Sequence, residues 1–438
     1  MSLILSGVFW ILVYLALVLA PLLVLFIEPV PAGAGFWWDL SLALGFAGMG
    51  MLGVQFLLTA RFRRPSAPFG IDIIYFFHRY LAVIAFGLVL LHVLIIAIDN
   101  PAAIGSLNPL VAPGYMSMGF TAVAFFAIVI ISSLWRKQLR IEYDRWRLLH
   151  TVFATSAFIL AIGHITGVGY YIDTPLKSAV WLGFTAFWML LILYVRLVSP
   201  MRMLRTPYRV VEVLKERGST WTLTAAPDGH PGMRFQPGQF AWLTLRASPY
   251  ALKEHPFSIS SSAEKPERLS FTIKELGDFT STIKDVQPGE VVYLDGPYGA
   301  FSIDRLPATG CVFIAGGVGI APIMGILRTL ADRGDRRAAL LIYANNRWEN
   351  VIFREDLEAL QTWLNLRLVH VLFKPHAEWQ GERGLVTQEL LARVLPQDYR
   401  SLEYFVCGPK PMNHLVEHAL ESLRVPLHQV HTELFDLV

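Results

Sequence analysis

Residues 71–98 read IDIIYFFHRYLAVIAFGLVLLHVLIIAI, with histidines at 78 and 92 inside a run that is apolar apart from Asp72 and Arg79. The run exceeds the ~20 residues that a bilayer core demands. Residues 148–172 read LLHTVFATSAFILAIGHITGVGYYI, and His150 and His164 repeat the spacing of 14. At 100° per residue, 14 steps return to within about 40° of the starting face and rise about 21 Å. Each run therefore presents two histidines on one helix face, one toward either side of a bilayer. Four more apolar stretches, at roughly 3–27, 36–60, 118–135 and 178–198, complete six candidate spans. Residues 1–200 are thus expected to form a six-helix transmembrane bundle.

The charge distribution agrees. The chain of 438 residues is 54% hydrophobic and 16% charged, which excludes a disordered chain and argues against a wholly soluble one. Residues 1–200 hold 11 of the 37 Lys+Arg and 7 of the 34 Asp+Glu, leaving 26 and 27 for residues 201–438. The overall balance is too even for a nucleic-acid binder. Cys311 and Cys407 are too few for a disulfide framework or a Cys-ligated cluster. The first span has no basic segment before it and is too long for a signal peptide, so it is expected to be retained.

Short-loop charges set the expected orientation. Arg61, Arg63 and Arg64 follow the second span; Arg136, Lys137, Arg140, Arg145 and Arg147 join the fourth and fifth; Arg202, Arg205 and Arg209 follow the sixth. The opposite loops carry Glu28, Asp99 and Asp173, with Lys177 as their basic residue. The positive-inside rule puts both termini and the charged half in the cytoplasm of a plasma or inner membrane. Trp37, Trp38, Tyr170 and Tyr171 fall at the outer aromatic belt.

The third and fifth spans run parallel, so His78 lies level with His150 on the inner side and His92 with His164 on the outer side. A single intramembrane histidine commonly glues helices together. Two matched pairs at identical spacing point instead to axial ligation of iron, with two haem b groups stacked across the membrane. Arg79 and Arg147 stand where inner propionates would need a cation, and equally where positive-inside charge is expected.

After the sixth span, residues 207–305 alternate short strands with Gly/Pro turns: 210–213, 221–224, 240–243, 271–274 and 291–294. This pattern predicts an antiparallel β-barrel. Residues 306–438 alternate strands (310–315, 338–343, 366–371, 404–406) with helices near 320–333, 353–363 and 410–423. That predicts an α/β doubly wound parallel sheet. Two loops close its strands: Gly316-Gly317-Val318-Gly319 and Cys407-Gly408-Pro409. A glycine-rich turn at a helix N-terminus suits a pyrophosphate, although tight turns need glycine for their own sake.

With these motifs in this order, the chain resembles the transmembrane ferric reductases and NADPH oxidases, which join a di-haem membrane part to a ferredoxin-reductase-like flavin part. The resemblance covers nearly the whole chain. It implies that His78, His92, His150 and His164 bind two haem b groups. His255, Pro256, Phe257 and Ser258 resemble the flavin-binding motif, and Gly277, Phe279 and Thr280 the loop that holds the FAD pyrophosphate through backbone amides. Gly296-Pro297-Tyr298-Gly299 is similar to the turn closing the flavin domain. Gly316 to Gly319, with Cys407, Gly408 and Pro409, resemble the NADPH (or NADH) pyrophosphate and nicotinamide sites. Ser258, Cys407 and Phe435 are the residues implied beside the reacting rings. In the family the flavin-stacking aromatic lies near the C-terminus, whereas Phe435 has three residues after it and equally suits a core position.

Arg347, after the second strand of the sheet, stands where a cation would choose NADPH over NADH, or be a solvated loop charge. The resemblance implies electron flow from NAD(P)H through FAD and both haems to an extracytoplasmic Fe(III) chelate or O2. The acidic Asp39, Asp99 and Asp173, and the lack of Arg or Lys in the outer halves of spans two, three and five, lean toward the iron chelate. A partner protein or quinone is the further alternative. No calcium-binding extension is expected.

Overall fold

The computed structural model describes residues 3–23, 26–28, 30, 32–62, 70–108, 111–251, 253–306 and 308–434. Arg63, Arg64 and Phe435 lie outside the described residues. The chain divides into two compact units, Met1–Pro200 and Met201–Val438.

In the first unit, six helices are long and apolar enough to cross a membrane. They are α1 (Leu3–Leu23), α2 (Phe36–Thr59), α3 (Ile71–Asp99), α4 (Gly114–Leu134), α5 (Tyr143–Val168) and α6 (Pro175–Leu193). α6 runs on through a π turn at Tyr194–Val198 to Leu204. Thr174 and Pro175 start α6, with the Thr174 hydroxyl accepting the Lys177 N–H, and Gly169 in the left-handed region ends α5. α5 begins five residues before the apolar run at 148, with Tyr143 and Trp146 half-buried on it and Arg145 exposed. α2 lies at the centre: a Cβ on Gly50 would stand 2.2 Å from the Val18 carbonyl of α1, and one on Gly53 2.6 Å from the Trp188 indole of α6. In lipid, where apolar side chains gain little by meeting, such small residues let backbones approach and dispersion hold the helices together.

The second unit opens with β1 (Tyr208–Lys215), β2 (Thr220–Pro227), β3 (Phe240–Leu245), β4 (His255–Ser258), β5 (Leu269–Lys274) and β6 (Val291–Tyr298). These pair antiparallel in the order β4-β3-β6-β1-β2-β5. An Ile259–Phe271 bridge and a 2.8 Å bond from the Ser260 N–H to the Ser270 carbonyl join the outermost strands, so the sheet curls into a barrel. Leu223, Leu243, Leu269, Phe271 and Val292 fill its interior at 0% exposure. Such fully buried side chains each contribute roughly 1.5–3 kcal/mol.

A parallel sheet follows: β7 (Gly310–Gly316), α7 (Ile320–Asp332), β8 (Ala338–Asn345), α8 (Arg354–Trp363), β9 (Leu366–Leu372), β10 (Glu382–Arg383), α9 (Gln388–Val394), β11 (Glu403–Cys407), α10 (Lys410–Ser422) and β12 (Val430–Glu433). The strand order is β10-β9-β8-β7-β11-β12. Alternation along β7 sends Cys311, Phe313 and Ala315 toward α7 and α8, and Val312 and Ile314 toward α9 and α10. Both faces are therefore covered, as a doubly wound sheet requires. The order reverses between β7 and β11, which makes their carboxyl ends the topological switch point. β4, β10, α9 and β12 are too short or too polar to be legible from periodicity.

The barrel and the parallel sheet meet through α7. A Cβ on Gly325 would stand 2.4 Å from the Ile259 carbonyl. Arg328 donates to the Ser260 carbonyl at 2.9 Å, and Arg217 binds Glu355 through both nitrogens at 2.6 and 2.7 Å.

Candidate functional site

Within the membrane unit, α3 and α5 bring the four histidines together as two pairs. The His78 and His150 ring centroids are 6.2 Å apart. His92 and His164 both line a cavity of about 190 Å³, whose wall also includes Gly45, Gly119, Trp38 and Phe120. Among the described residues no group of three or more His, Cys, Asp or Glu is placed to hold a metal ion. Two imidazoles suffice where a macrocycle fills the other positions, as in haem.

The hydrogen bonds fix the tautomers. The Ser41 hydroxyl donates to the His92 carbonyl at 2.9 Å, so it accepts from His92 Nδ1 at 2.9 Å, and the Ser41 carbonyl accepts from the same Nδ1 at 2.9 Å. His164 Nδ1 donates to the Tyr115 carbonyl at 3.0 Å. Ser133 donates to the Val129 carbonyl at 2.6 Å and accepts from His150 Nδ1 at 3.1 Å. With the proton on Nδ1, the Nε2 lone pair of each of these three rings is left for a metal, the arrangement usual in metal-ligating histidine. His78 differs: its Nδ1 is buried with no hydrogen-bond partner among the described residues. Ser41, Tyr115 and Ser133 escaped the sequence reading. Their spacing from Gly45 and Gly119 on α2 and α4 is the signal that would have found them. The residues present therefore fit two bis-imidazole haems.

In the barrel, β4 and the Gly277 loop are brought together although the 18 residues 259–276 separate them. The His255 and Phe279 rings stack at 4.0 Å and 24°, with Phe257 6.0 Å from Phe279. The Ser258 hydroxyl is buried without a hydrogen-bond partner. A buried polar group left so is costly unless a ligand completes it, which fits a flavin edge. The Gly277 loop departs from the expectation in one respect. The Thr280 hydroxyl accepts the Leu276 and Gly277 N–H groups at 2.8 and 2.9 Å, so these two amides hold the loop closed rather than a pyrophosphate. The cause is local: Thr280 follows one turn after Gly277, within reach of its N–H.

At the switch point the two nucleotide loops touch. A Cβ on Gly319 would stand 2.2 Å from the Cys407 carbonyl, and one on Gly408 3.2 Å from Gly316 Cα. Gly317 takes φ +54°, and nothing lies within 4 Å of where its side chain would be. Only glycine meets these demands, and the open space above it suits a phosphate. Tyr343 donates to the Gly317 carbonyl at 3.1 Å and so supports the loop from beneath. Val318 is half-buried and Pro409 exposed. Cys407 is 0% exposed, and burial pushes its thiol well above the usual range, so it is a protonated core residue.

Arg347 is exposed just beyond β8. Beside it lies a cluster the sequence did not reveal. The Arg354 guanidinium sits 4.0 Å from the Trp348 ring, Trp348 meets His370 at 5.0 Å, and His370 Nδ1 is buried without a hydrogen-bond partner. Burial, reinforced by Arg354, pushes the His370 pKa down to about 4.

Three family models match the chain in succession. Residues 44–162 match a ferric reductase like transmembrane component, which takes in His78, His92 and His150 and ends just before His164. Residues 222–302 match an FAD-binding domain and residues 313–418 an oxidoreductase NAD-binding domain. The glycine betaine monooxygenase reductase subunit of Pseudomonas aeruginosa is 28% identical over 233 residues, 52% of this chain and 63% of that protein. The stachydrine N-demethylase reductase subunit Stc4 of Rhizobium meliloti is 32% identical over 205 residues, 45% and 58% of the two chains. The chain spans less than two thirds of the length of these curated relatives. Among solved structures, the Amycolatopsis cytochrome P450 reductase GcoB aligns with a TM-score of 0.47 at 23% identity, covering 52% of this chain and 69% of that one. The chain thus carries, in order, regions matching a ferric reductase like transmembrane component, an FAD-binding domain and an oxidoreductase NAD-binding domain, the domain order of the family it resembles.

Proposed function

We propose that the protein moves electrons from cytoplasmic NAD(P)H, with FAD and two b-type haems bound along the chain, to an extracytoplasmic acceptor, an Fe(III) chelate in preference to O2. The observation that carries this reading is the set of four intramembrane imidazoles, three of them held with Nε2 bare. When bound, the flavin takes a hydride and releases electrons singly, and the haem irons accept them one at a time. His78 and His150 would hold the inner haem, and His92 and His164 the outer. Ser258 would complete its hydrogen bonding at the flavin edge, with Phe257 and Phe279 beside the ring. Gly316 to Gly319 and Gly408-Pro409 would bind the dinucleotide. Arg347 would pair with a 2′-phosphate, favouring NADPH. Phe435 keeps only the role the resemblance implies.

The preference for iron rests on charge. Asp39, Asp99 and Asp173 gather at the loops read as extracytoplasmic, where Asp39 accepts the Tyr171 phenol at 2.9 Å. An acidic rim, with Lys177 buried against Asp173 at 3.9 Å, attracts cations and disfavours a developing superoxide anion. The relatives named as reductase subunits favour a second reading, in which the acceptor is a partner protein.

The test is anaerobic addition of NADPH to the purified, haem- and FAD-loaded protein, followed by visible spectroscopy. Haem reduction is expected, with reoxidation faster by ferric citrate than by air-saturated buffer. No haem reduction would sink the reading, and fast reoxidation by oxygen with superoxide release would make the protein an oxidase.

A further inference from the structure

The three satisfied histidines follow one rule. In a helix the carbonyl of residue i points toward residue i+4. Opposite His92 these positions are Ser41 and Gly45; opposite His164 they are Tyr115 and Gly119. With no side chain on the glycine, the imidazole closes on the helix and its Nδ1–H reaches the carbonyl directly. A Cβ would stand 3.3 Å from His92 Nδ1 at Gly45 and 2.7 Å from His164 Nδ1 at Gly119.

Fourteen residues further along α4, the same two positions are Val129 and Ser133, and they face His150, which is 14 residues before His164. Here a hydroxyl replaces the bare glycine. It donates back to the carbonyl four residues earlier and accepts the Nδ1–H in the carbonyl's place, a back-bonded geometry that serine and threonine adopt readily in helices.

The same step along α2 leads from Ser41 and Gly45 to Gln55 and Thr59. The Thr59 hydroxyl donates to the Gln55 carbonyl at 2.9 Å, repeating the Ser133–Val129 bond. Antiparallel register puts it opposite the fourth histidine. Gly45 faces His92 and Gly48 faces Val89, so each residue forward on α2 is one residue back on α3. Continued fourteen steps, this register sets Thr59 opposite His78, with no hydrogen bond between the two in this structure. His78 is the ring whose buried Nδ1 has no partner, and the Thr59 oxygen, its own proton given away, has lone pairs left to accept.

We propose that Thr59 is a positioning residue for His78, accepting its Nδ1–H when the inner haem is bound. Each haem then has its own kind of support: backbone carbonyls bared by Gly45 and Gly119, joined at His92 by the Ser41 hydroxyl, for one, and the relayed hydroxyls of Thr59 and Ser133 with no carbonyl contact for the other. This rests on the di-haem reading proposed above. An acceptor on Nδ1 makes the imidazole a stronger electron donor and stabilises the oxidised iron. Losing it raises the potential of that haem alone.

The experiment is a redox titration of the haem absorbance of the full-length, haem-loaded protein. Wild type is expected to titrate in two steps. Thr59→Val should shift one step to higher potential, the same step that Ser133→Ala moves, and leave the other in place. Thr59→Ser should restore the wild-type value, which a merely structural role of the side chain would not predict. Where Thr59→Val fails to accumulate, Thr59→Ala makes the same test. Two unmoved steps in the hydroxyl-free variant, or an equal shift in Thr59→Ser, overturns the proposal. Absence of bound haem in wild type would instead overturn the di-haem reading itself.

Discussion

Gly119 of α4 stands against the imidazole of His164, so closely that a Cβ there would lie 2.7 Å from Nδ1 and 3.0 Å from Cγ. The Tyr115 carbonyl it donates to is helix backbone and cannot yield, so an added methyl must push the ring toward the cavity it lines. Gly119→Ala is therefore expected to displace His164 and lose one of two haem equivalents, measured by pyridine haemochromogen against protein. Gly45→Ala, whose Cβ would stand 3.3 Å from His92 Nδ1, should retain both. Equal haem content in the two variants would contradict this.

Ser258 has a buried hydroxyl with no hydrogen-bond partner among the described residues. Removing it deletes no internal bond, so Ser258→Ala should leave the melting temperature of the flavin-free protein unchanged or slightly raised. Affinity for FAD should weaken about two- to tenfold, the range for one lost hydrogen bond. Calorimetry with and without FAD separates the two effects.

Arg347 extends from the loop after β8, in the region where a doubly wound sheet contacts the ribose. Arg347→Ala should raise KM for NADPH about tenfold or more while leaving KM for NADH unchanged, because only the 2′-phosphate loses a charged partner. Steady-state kinetics with both nucleotides decide it.

Cys311 and Cys407 are both buried, and burial pushes the Cys311 thiol up to about 12 and Cys407 also upward. At pH 8 neither should react with a thiol reagent in the native protein, whereas both should react after denaturation. Rapid native labelling of Cys407 would place its sulfur in an accessible crevice.

His370 is held neutral, its pKa lowered from the usual 6.5 to about 4 first by burial and then by Arg354. The unfolded chain takes up this proton more readily than the native one. The stabilisation is thus complete above pH 6.5 and is lost as pH falls toward 4. The unfolding temperature of the unit Met201–Val438 should fall over that window, and His370→Asn should flatten the fall. An unchanged slope would show that other groups dominate.

The sequence by itself determined a large part of this protein. Six spans were legible because a bilayer imposes length and apolarity on each helix independently, and the histidine pairs because a spacing of 14 returns to one helix face. The parallel sheet was legible because strands buried on both faces read as apolar runs ending in glycine. Tertiary structure alone decided which helix backs each imidazole, since the carbonyls of Ser41 and Tyr115 carry no side-chain signature. It decided that Thr280 takes the amides of its own loop, that His255 stacks on Phe279, and that Cys407 lies in the core. Periodicity reports what one element needs from its surroundings, whereas these relationships depend on the register between elements, which packing fixes only when the whole unit has folded.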